Sequence, residues 1–307
     1  MGKTFPLLTF LYRCGIIKVS ENRGAFFLEI KALGKIESGQ DGAIFGDYLF
    51  RFSARGMCKV YDVNKLLLGG ENAPFASFKL ECADIIAPHS NAVSFSTKYY
   101  AEGDEFPLLY TNIYNNYAKC EDRLVGVCCV YRILREGDRF SSRLVQLIEI
   151  GFNKDELWLS SPEDVRPYGN FLVDREKDIY YAFVMRDGDG VTRYFSFDLP
   201  PVGDGDIDGK YAVRRAVLTK ADIKTCFDAP YHKYIQGACC HGGLIYSLEG
   251  FTNKSPAIRI INPSRKEQEA HFDLLEYGLT VEPEFIDFHR DRCIYSDADG
   301  GIFELIF

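Results

Sequence analysis

The chain is poor in what builds helices and in what marks the common catalytic folds. It carries 3 Met and 1 Trp in 307 residues, and no apolar stretch approaches the roughly 18 residues of a membrane-spanning helix. There is no GxxxxGK[ST] phosphate loop, no HExxH and no GxSxG, so the sequence gives no ground for a P-loop, a zincin helix or a nucleophile elbow. Basic clusters are missing too. The longest are Arg214–Arg215 and Arg290–Arg292, and the net charge is −8. Binding to nucleic acid needs a clustered basic face that neutralises phosphates, so no nucleic-acid partner is expected. None of the 10 Cys are spaced as CxxC, and a chain of this length needs no disulfide staples. The pairs Cys128–Cys129 and Cys239–Cys240 sit inside apolar runs, where cysteine acts as a small buried hydrophobe. A reducing, cytoplasmic setting fits, with export as the alternative if a leader has been removed. The apolar segment Phe5–Tyr12 contains Pro6 and lacks a small-residue cleavage site, which a signal peptide requires.

What is present is strand. Aromatic residues make up 14% of the chain, with 24 Phe and 19 Tyr, and these side chains suit a pleated surface. One theme recurs at Gln40–Gly46, His89–Phe95, Tyr168–Asp174, Ile235–His241 and Glu282–Phe288. Each copy opens on small or polar residues, passes into a short apolar run and meets a tight turn. Successive copies lie far enough apart to hold a four-stranded antiparallel sheet, which takes about 40–45 residues in a compact repeat. The first unit reads as strands Ala43–Phe45, Tyr48–Ser53, Cys58–Asp62 and Phe75–Leu80. The second reads as Ala92–Ser96, Leu108–Tyr114, Leu124–Leu134 and Arg143–Ile150. For the third we expect Phe171–Asp174, Ile179–Met185, Thr192–Asp198 and Ala212–Thr219, followed by a helix over Thr219–Phe227 that Thr219 caps with Asp222. The fourth gives Ala238–His241, Leu244–Leu248, Ala257–Ile261 and Glu269–Leu274. The last unit has only three strands, Phe285–His289, Cys293–Ser296 and Ile302–Ile306, while spare strands occur at Ile16–Val19 and Ala25–Ala32.

A ring closes when a strand from the start of a chain completes the final sheet, and closure hides edges that would otherwise aggregate. The repeat therefore resembles a β-propeller. The expected fold is all-β and five-bladed, a single domain over residues 1–307 with the N-terminal strand closing the last blade. A six-bladed count would split a long unit.

In such a fold the first strand of each blade lines a central channel, and all blades run the same way. The repeat starts should then meet at one mouth, bringing Gln40, Asp41, His89, Asn91, Arg166, Asn170, Gln236, Glu282 and Glu284 together. Convergent polar groups on rigid strands are what a small-molecule pocket needs, so these residues are the expected ligand site. The ligand would be a glycan, another small molecule or a protein. Asp41 and Glu284, on neighbouring blades, are the candidate catalytic pair of the alternative reading. The layout is similar to five-bladed glycoside hydrolases, which place acids at inner-strand starts, and an activity of hydrolase or lyase type is what that likeness implies. His89, Asn170 and Gln236 depart from the pattern of acids. Polar residues at a channel mouth can also serve only to satisfy backbone groups.

Asp204, Asp206 and Asp208 match the first half of a calcium loop, and they are the candidate metal ligands. The match ends at Arg215, where an EF-hand has its glutamate. The expectation is a turn-rich acidic loop, with no required cofactor and calcium as the one candidate cation. Trp158 and the tyrosines of 99–100 and 110–117 read as packing between blades or as a recognition surface. The long loop after Ser96 would join the funnel in recognition.

Overall fold

The computed structural model describes residues 27–86, 88–112, 127–151, 165–186, 190–232, 234–251 and 254–307, with side chains described from 171 and 255 onward in the segments that begin at 165 and 254. Trp158, the Asn253 sequon, the early strand at 16–19 and the tyrosines at 114 and 117 lie outside the described residues, as do the side chains of Arg166, Tyr168 and Asn170.

Five antiparallel blades surround a central channel. Strand β1 (Glu29–Lys35) comes first in the chain. Blade one follows with β2 (Gly42–Phe45), β3 (Tyr48–Ser53), β4 (Met57–Asp62) and, after the short β5 (Gly70–Glu71), β6 (Ala76–Lys79). Blade two holds β7 (Val93–Phe95), β8 (Leu109–Asn112), β9 (Val127–Glu136) and β10 (Arg139–Ile150). Blade three starts with β11 (Val165–Asp174), β12 (Ile179–Arg186) and β13 (Val191–Asp198). The chain then makes β14 (Asp206–Asp208) and β15 (Val213–Leu218) before β16 (Thr225–Pro230). Blade four is β17 (Ile235–His241), β18 (Leu244–Phe251), β19 (Lys254–Asn262) and β20 (Glu267–Asp273); blade five is β21 (Pro283–His289), β22 (Arg292–Asp297) and β23 (Gly301–Ile306).

The long apolar runs have a geometric cause. Side chains alternate across a strand, and a blade is covered on both faces by its neighbours. Leu172 packs between blades three and four, while Phe171 and Val173 pack between blades two and three. Cys240 likewise faces blade three and Cys239 faces blade five. Five apolar clusters result, one in each seam of the ring, and the fifth joins Ile44, Leu49 and Tyr61 of blade one to Phe285, Ile294 and Ile302 of blade five. The hairpins inside blades are tight. Gly242 and Gly243 join β17 to β18 with φ of 57° and 74°, the left-handed pair that a two-residue turn demands.

Closure occurs as the spare N-terminal strand suggested. β1 pairs antiparallel with β23, with Glu29 opposite Ile306 and Lys35 opposite Gly301, and β5 adds a short parallel edge to it. The strand begins later than the Ala25–Ala32 span of the sequence reading.

Two expectations fail in blades two and three. The segment expected as the fourth strand of blade three, Ala212–Thr219, instead becomes β15 and lies parallel to β10 in blade two, with β14 outside it. The true fourth strand of blade three is β16, paired from Val191–Pro230 to Ser196–Thr225. Its first three residues, Thr225–Phe227, fall within the segment expected as helix. Thr219 and Asp222 do form the capping box, but it starts only a 3-10 turn over Lys220–Asp222. The cap fixes a local turn; the unfilled edge of β13 then captures the next extended segment, because a paired edge is worth more than a short isolated helix.

Candidate functional site at the channel mouth

The innermost strands have no sheet partner on the channel side, so their inward N–H groups need acceptors. Three are met by a side chain from the preceding blade. Asp287 Oδ2 accepts from Ile44 N at 2.7 Å, Asp41 Oδ2 from Val93 N at 2.9 Å and Ser94 Oγ from Val173 N at 3.4 Å. This relay runs from blade five to one, one to two and two to three.

The strand starts do gather at one end. Asp41 is fully buried. Its main chain bonds to Ser90 O and Phe52 N, while Oδ1 meets no partner among the described residues. A Cβ on Gly237 would lie 3.2 Å from that oxygen and 2.9 Å from Glu284 O, so only glycine lets blade four come this close. Glu284 is 4% exposed. Its Oε1 accepts from Gln40 Nε2 at 3.4 Å, and Oε2 is unpartnered. Gln236 donates to Gly250 O at 2.8 Å and to Glu282, tying blade four to blade five at the rim. Asn91 is held within its own blade by a reciprocal amide pair with Asn112. His89 is half-buried beside the rim, and burial lowers its pKa. Arg166 and Asn170 lie on β11 opposite Met185 and Phe183.

Pairing is irregular at this end in three blades. The ladders skip between Ile235 and Gly237, between Pro283 and Phe285, and between Arg166 and Asn170. Gln236 and Glu284 are thus the extra residues of bulges, which re-aim side chains at barrel and propeller rims.

Sequence reasoning passed over the residue that organises the mouth. Arg51, on β3, is 1% exposed and stands 5.6 Å from the Phe285 ring centroid. Its Nη2 donates to Gly39 O at 3.0 Å and to Asp297 O at 3.4 Å, while Nε and Nη1 find no partner and no carboxylate pairs with it directly among the described residues. Its signal in the sequence is a lone charge inside the apolar run Tyr48–Ser53. Burial pushes Asp41 well above the usual carboxylate range, against the amides of Gly42 and Val93. Burial also pushes Glu284 up to about 8, with Arg51 opposing. Asp297 is raised by burial as well and accepts from Asp299 N and Gly301 N. The mouth therefore gathers carboxyls that burial raises around one buried guanidinium.

The far end differs. Arg175 Nη1 donates to Ile44 O at 2.8 Å and Nη2 to Asp287 Oδ1 at 3.1 Å, and His289 Nδ1 bonds Gly46 O at 3.0 Å. The loop after Ser96 sits on this end, tied to Asp178 by Thr97 and Lys98. It follows the inner strand rather than preceding it, so it cannot share the mouth.

The acidic loop has its own economy. Asp208 Oδ1 accepts from Lys210 N and Tyr211 N, and Oδ2 accepts from Arg215. Asp204 and Asp206 are exposed. Among the described residues no three His, Cys, Asp or Glu side chains come together closely enough to hold a metal ion, and no helix is long and apolar enough to cross a membrane.

No protein-family model and no curated protein sequence matches the chain. Similar solved structures include BamB from Moraxella catarrhalis, at 10% identity and a TM-score of 0.35, covering 90% of this chain and 61% of that one. Sqt1 from Saccharomyces cerevisiae is similar at 8% identity and a TM-score of 0.36, over 84% of this chain and 55% of that one. A putative oxidoreductase (glucose dehydrogenase) from Thermus thermophilus is similar at 10% identity and a TM-score of 0.44, over 91% of this chain and 100% of that one. The chain thus spans about three fifths of BamB and little more than half of Sqt1. The assignment of fold rests on the sheets themselves: the chain is a five-bladed β-propeller.

Proposed function

We propose that the protein is a binding module that takes a small, hydroxyl-rich ligand at the channel mouth. The observation that carries this reading is the concentration of unmet polar atoms there: Asp41 Oδ1, Glu284 Oε2 and two nitrogens of Arg51, all buried. Buried polar groups are nearly always bonded, and a group left unmet costs about 1–3 kcal/mol. Donors and acceptors placed side by side suit hydroxyls, which both give and accept hydrogen bonds. Gln40, Gln236 and Glu282 form the accessible rim above them, and the bulges supply the means of aiming Glu284 inward.

The test is a melting-temperature screen of the full chain against monosaccharides, polyols, nucleotides and divalent cations, repeated with Glu284→Gln and Arg51→Met. A ligand that binds the folded state raises the melting temperature. The expected result is a shift by a sugar or polyol in the native protein that both variants lose. A flat response across the panel, or a shift that both variants keep, overturns the reading. Catalysis by Asp41 and Glu284 is the second reading, favoured by one observation: burial holds a proton on Glu284 near neutral pH, as a general acid requires. Release of nitrophenol from aryl glycosides, abolished in Glu284→Gln, is its readout.

A further inference from the structure

The displaced strands build a second site that the channel does not use. When β15 joins blade two instead of blade three, it leaves a cleft of about 630 Å³ on the flank of the ring, lined by β15 residues Ala216–Leu218, by Leu199, Pro200 and Pro201, and by Asp198, Asp204 and Asp222. That volume lies within the range of ligand sites, roughly 300–1,000 Å³. The floor is firm, because the buried Gln146 donates to Pro201 O at 2.7 Å.

One wall is an open sheet edge. β15 is paired with β10 as far as Leu218, but its ladder with β14 stops at Arg215. Gly205, at a φ of 95°, still lies against β15, where a Cβ would meet Arg215 O at 2.0 Å, and the contact reaches no further than Ala216 N. Leu218 O accepts from Gly151 N on the β10 side. Successive residues of a strand present their backbone groups to opposite edges, so Val217 turns its N–H and C=O toward the cleft. Proteins usually guard such an edge with charge, proline or a covering loop. Here Val217 is 49% exposed and Ile207, on the neighbouring strand, is 58% exposed. The charges lie across the cleft instead: three aspartates against Lys224, which is itself paired with Asp198 at 2.7 Å.

We propose that this cleft is a docking site for an extended, basic peptide segment, which adds a short strand to β15 at Val217. Main-chain hydrogen bonds to Val217 supply the register, a small apolar side chain packs on Val217, and Lys or Arg side chains reach the aspartates. This is strand addition, a recurring mode in which backbone bonds give affinity and alternate side chains give specificity. Asp204, the first carboxylate of the loop that resembles half of a calcium site, thereby gains a use in the charged wall.

Fluorescence anisotropy on the full chain tests this with three labelled heptapeptides: alternating Arg and Val, alternating Glu and Val, and the Arg–Val peptide N-methylated at alternate amides. The Arg–Val peptide is expected to bind at least about tenfold tighter than either control. The double variant Asp198→Lys, Asp204→Lys is expected to weaken it by a similar factor with an unchanged melting temperature. Hydrogen exchange should show Val217 N–H protected only when that peptide is bound. Equal binding of the N-methylated peptide overturns strand addition, and indifference to the charge reversal overturns the basic partner. Failure of all three peptides to bind at about millimolar concentration overturns the site itself. Protection of Val217 that grows with protein concentration alone would assign the edge to a second copy of the chain and likewise overturn the peptide proposal. Because these residues lie away from the mouth, none of these outcomes bears on the funnel reading.

Discussion

The two ends of the central channel are made by the same five strands, yet they meet the needs of buried charge to different degrees. At the far end Asp287 receives Ile44 N, Phe288 N and Arg175, so both oxygens are met. At the mouth Arg51, Asp41 and Glu284 lie just as deep, but four of their polar atoms have no hydrogen-bond partner among the described residues. The far end is not free of such atoms, since Asp174 Oδ2 lacks a hydrogen bond among the described residues, though Lys177 Nζ stands 3.8 Å from it. The mouth gathers four of them on three side chains, and the bulges that aim Gln236 and Glu284 lie at that end. The contrast teaches that buried charges of similar depth differ in how fully their neighbours meet them.

The contrast breaks most sharply through Asp287. Asp287→Ala strands the Ile44 amide and takes from Arg175 its carboxylate partner, which should cost roughly 2–4 kcal/mol in urea unfolding. A cost below about 0.5 kcal/mol, the scale of an ordinary surface change, would mean that the far end is not the clamp described.

Glu284 gives the next effect, and its sign is fixed. Its folded pKa of about 8 lies above the ordinary carboxylate value. Between that ordinary value and about 8 the folded state keeps a proton that the unfolded chain has lost. Stability therefore falls as pH rises through that window and levels off above it. Melting temperatures from about pH 5 to about pH 8 should decline in the native protein, and Glu284→Gln should flatten the decline. Identical slopes would show that Glu284 titrates normally.

Smaller effects sharpen the comparison. Arg51→Met removes a buried cation that has no direct ion-pair partner among the described residues, and apolar replacements of such groups are often neutral or stabilising, so the change should stay within about 1 kcal/mol. A loss matching that of Asp287→Ala would make Arg51 a structural clasp. The smallest change belongs to Asp41→Asn, about 0.5 kcal/mol or less, because the amide oxygen can still accept from Val93 N. Both are read by the same urea titration. Asp41→Ala is the control that should cost more, since it leaves the Val93 amide unmet.

Much of this was legible along the chain. Short continuous apolar runs located nearly every strand of blades one, four and five, because a strand covered on both faces must be apolar at successive positions. The shortage of one strand at the C-terminus, with a spare at the start, announced the closing strand β1. The polar residues at the strand starts announced the mouth. Other features were hidden. Val213–Leu218 looks like any fourth strand, and whether it joins β13 or β10 depends on which edge is nearer in space. Thr225–Pro230 has a cap before it and a proline at its end, so local rules read a capped helix through Phe227 and no strand. Arg51 was passed over because its role depends on where Glu284 and Asp297 arrive, more than two hundred residues later.

The amino-acid order by itself determined the alternation, the repeat and the strand count, since these follow from the two-residue period of an extended backbone and from local turn chemistry. Only the tertiary structure decided which edge captured β15, which carboxylate found a guanidinium and which was left without one. Those outcomes depend on distances between segments remote in sequence, and burial magnifies each of them because no water stands ready to replace a missing partner.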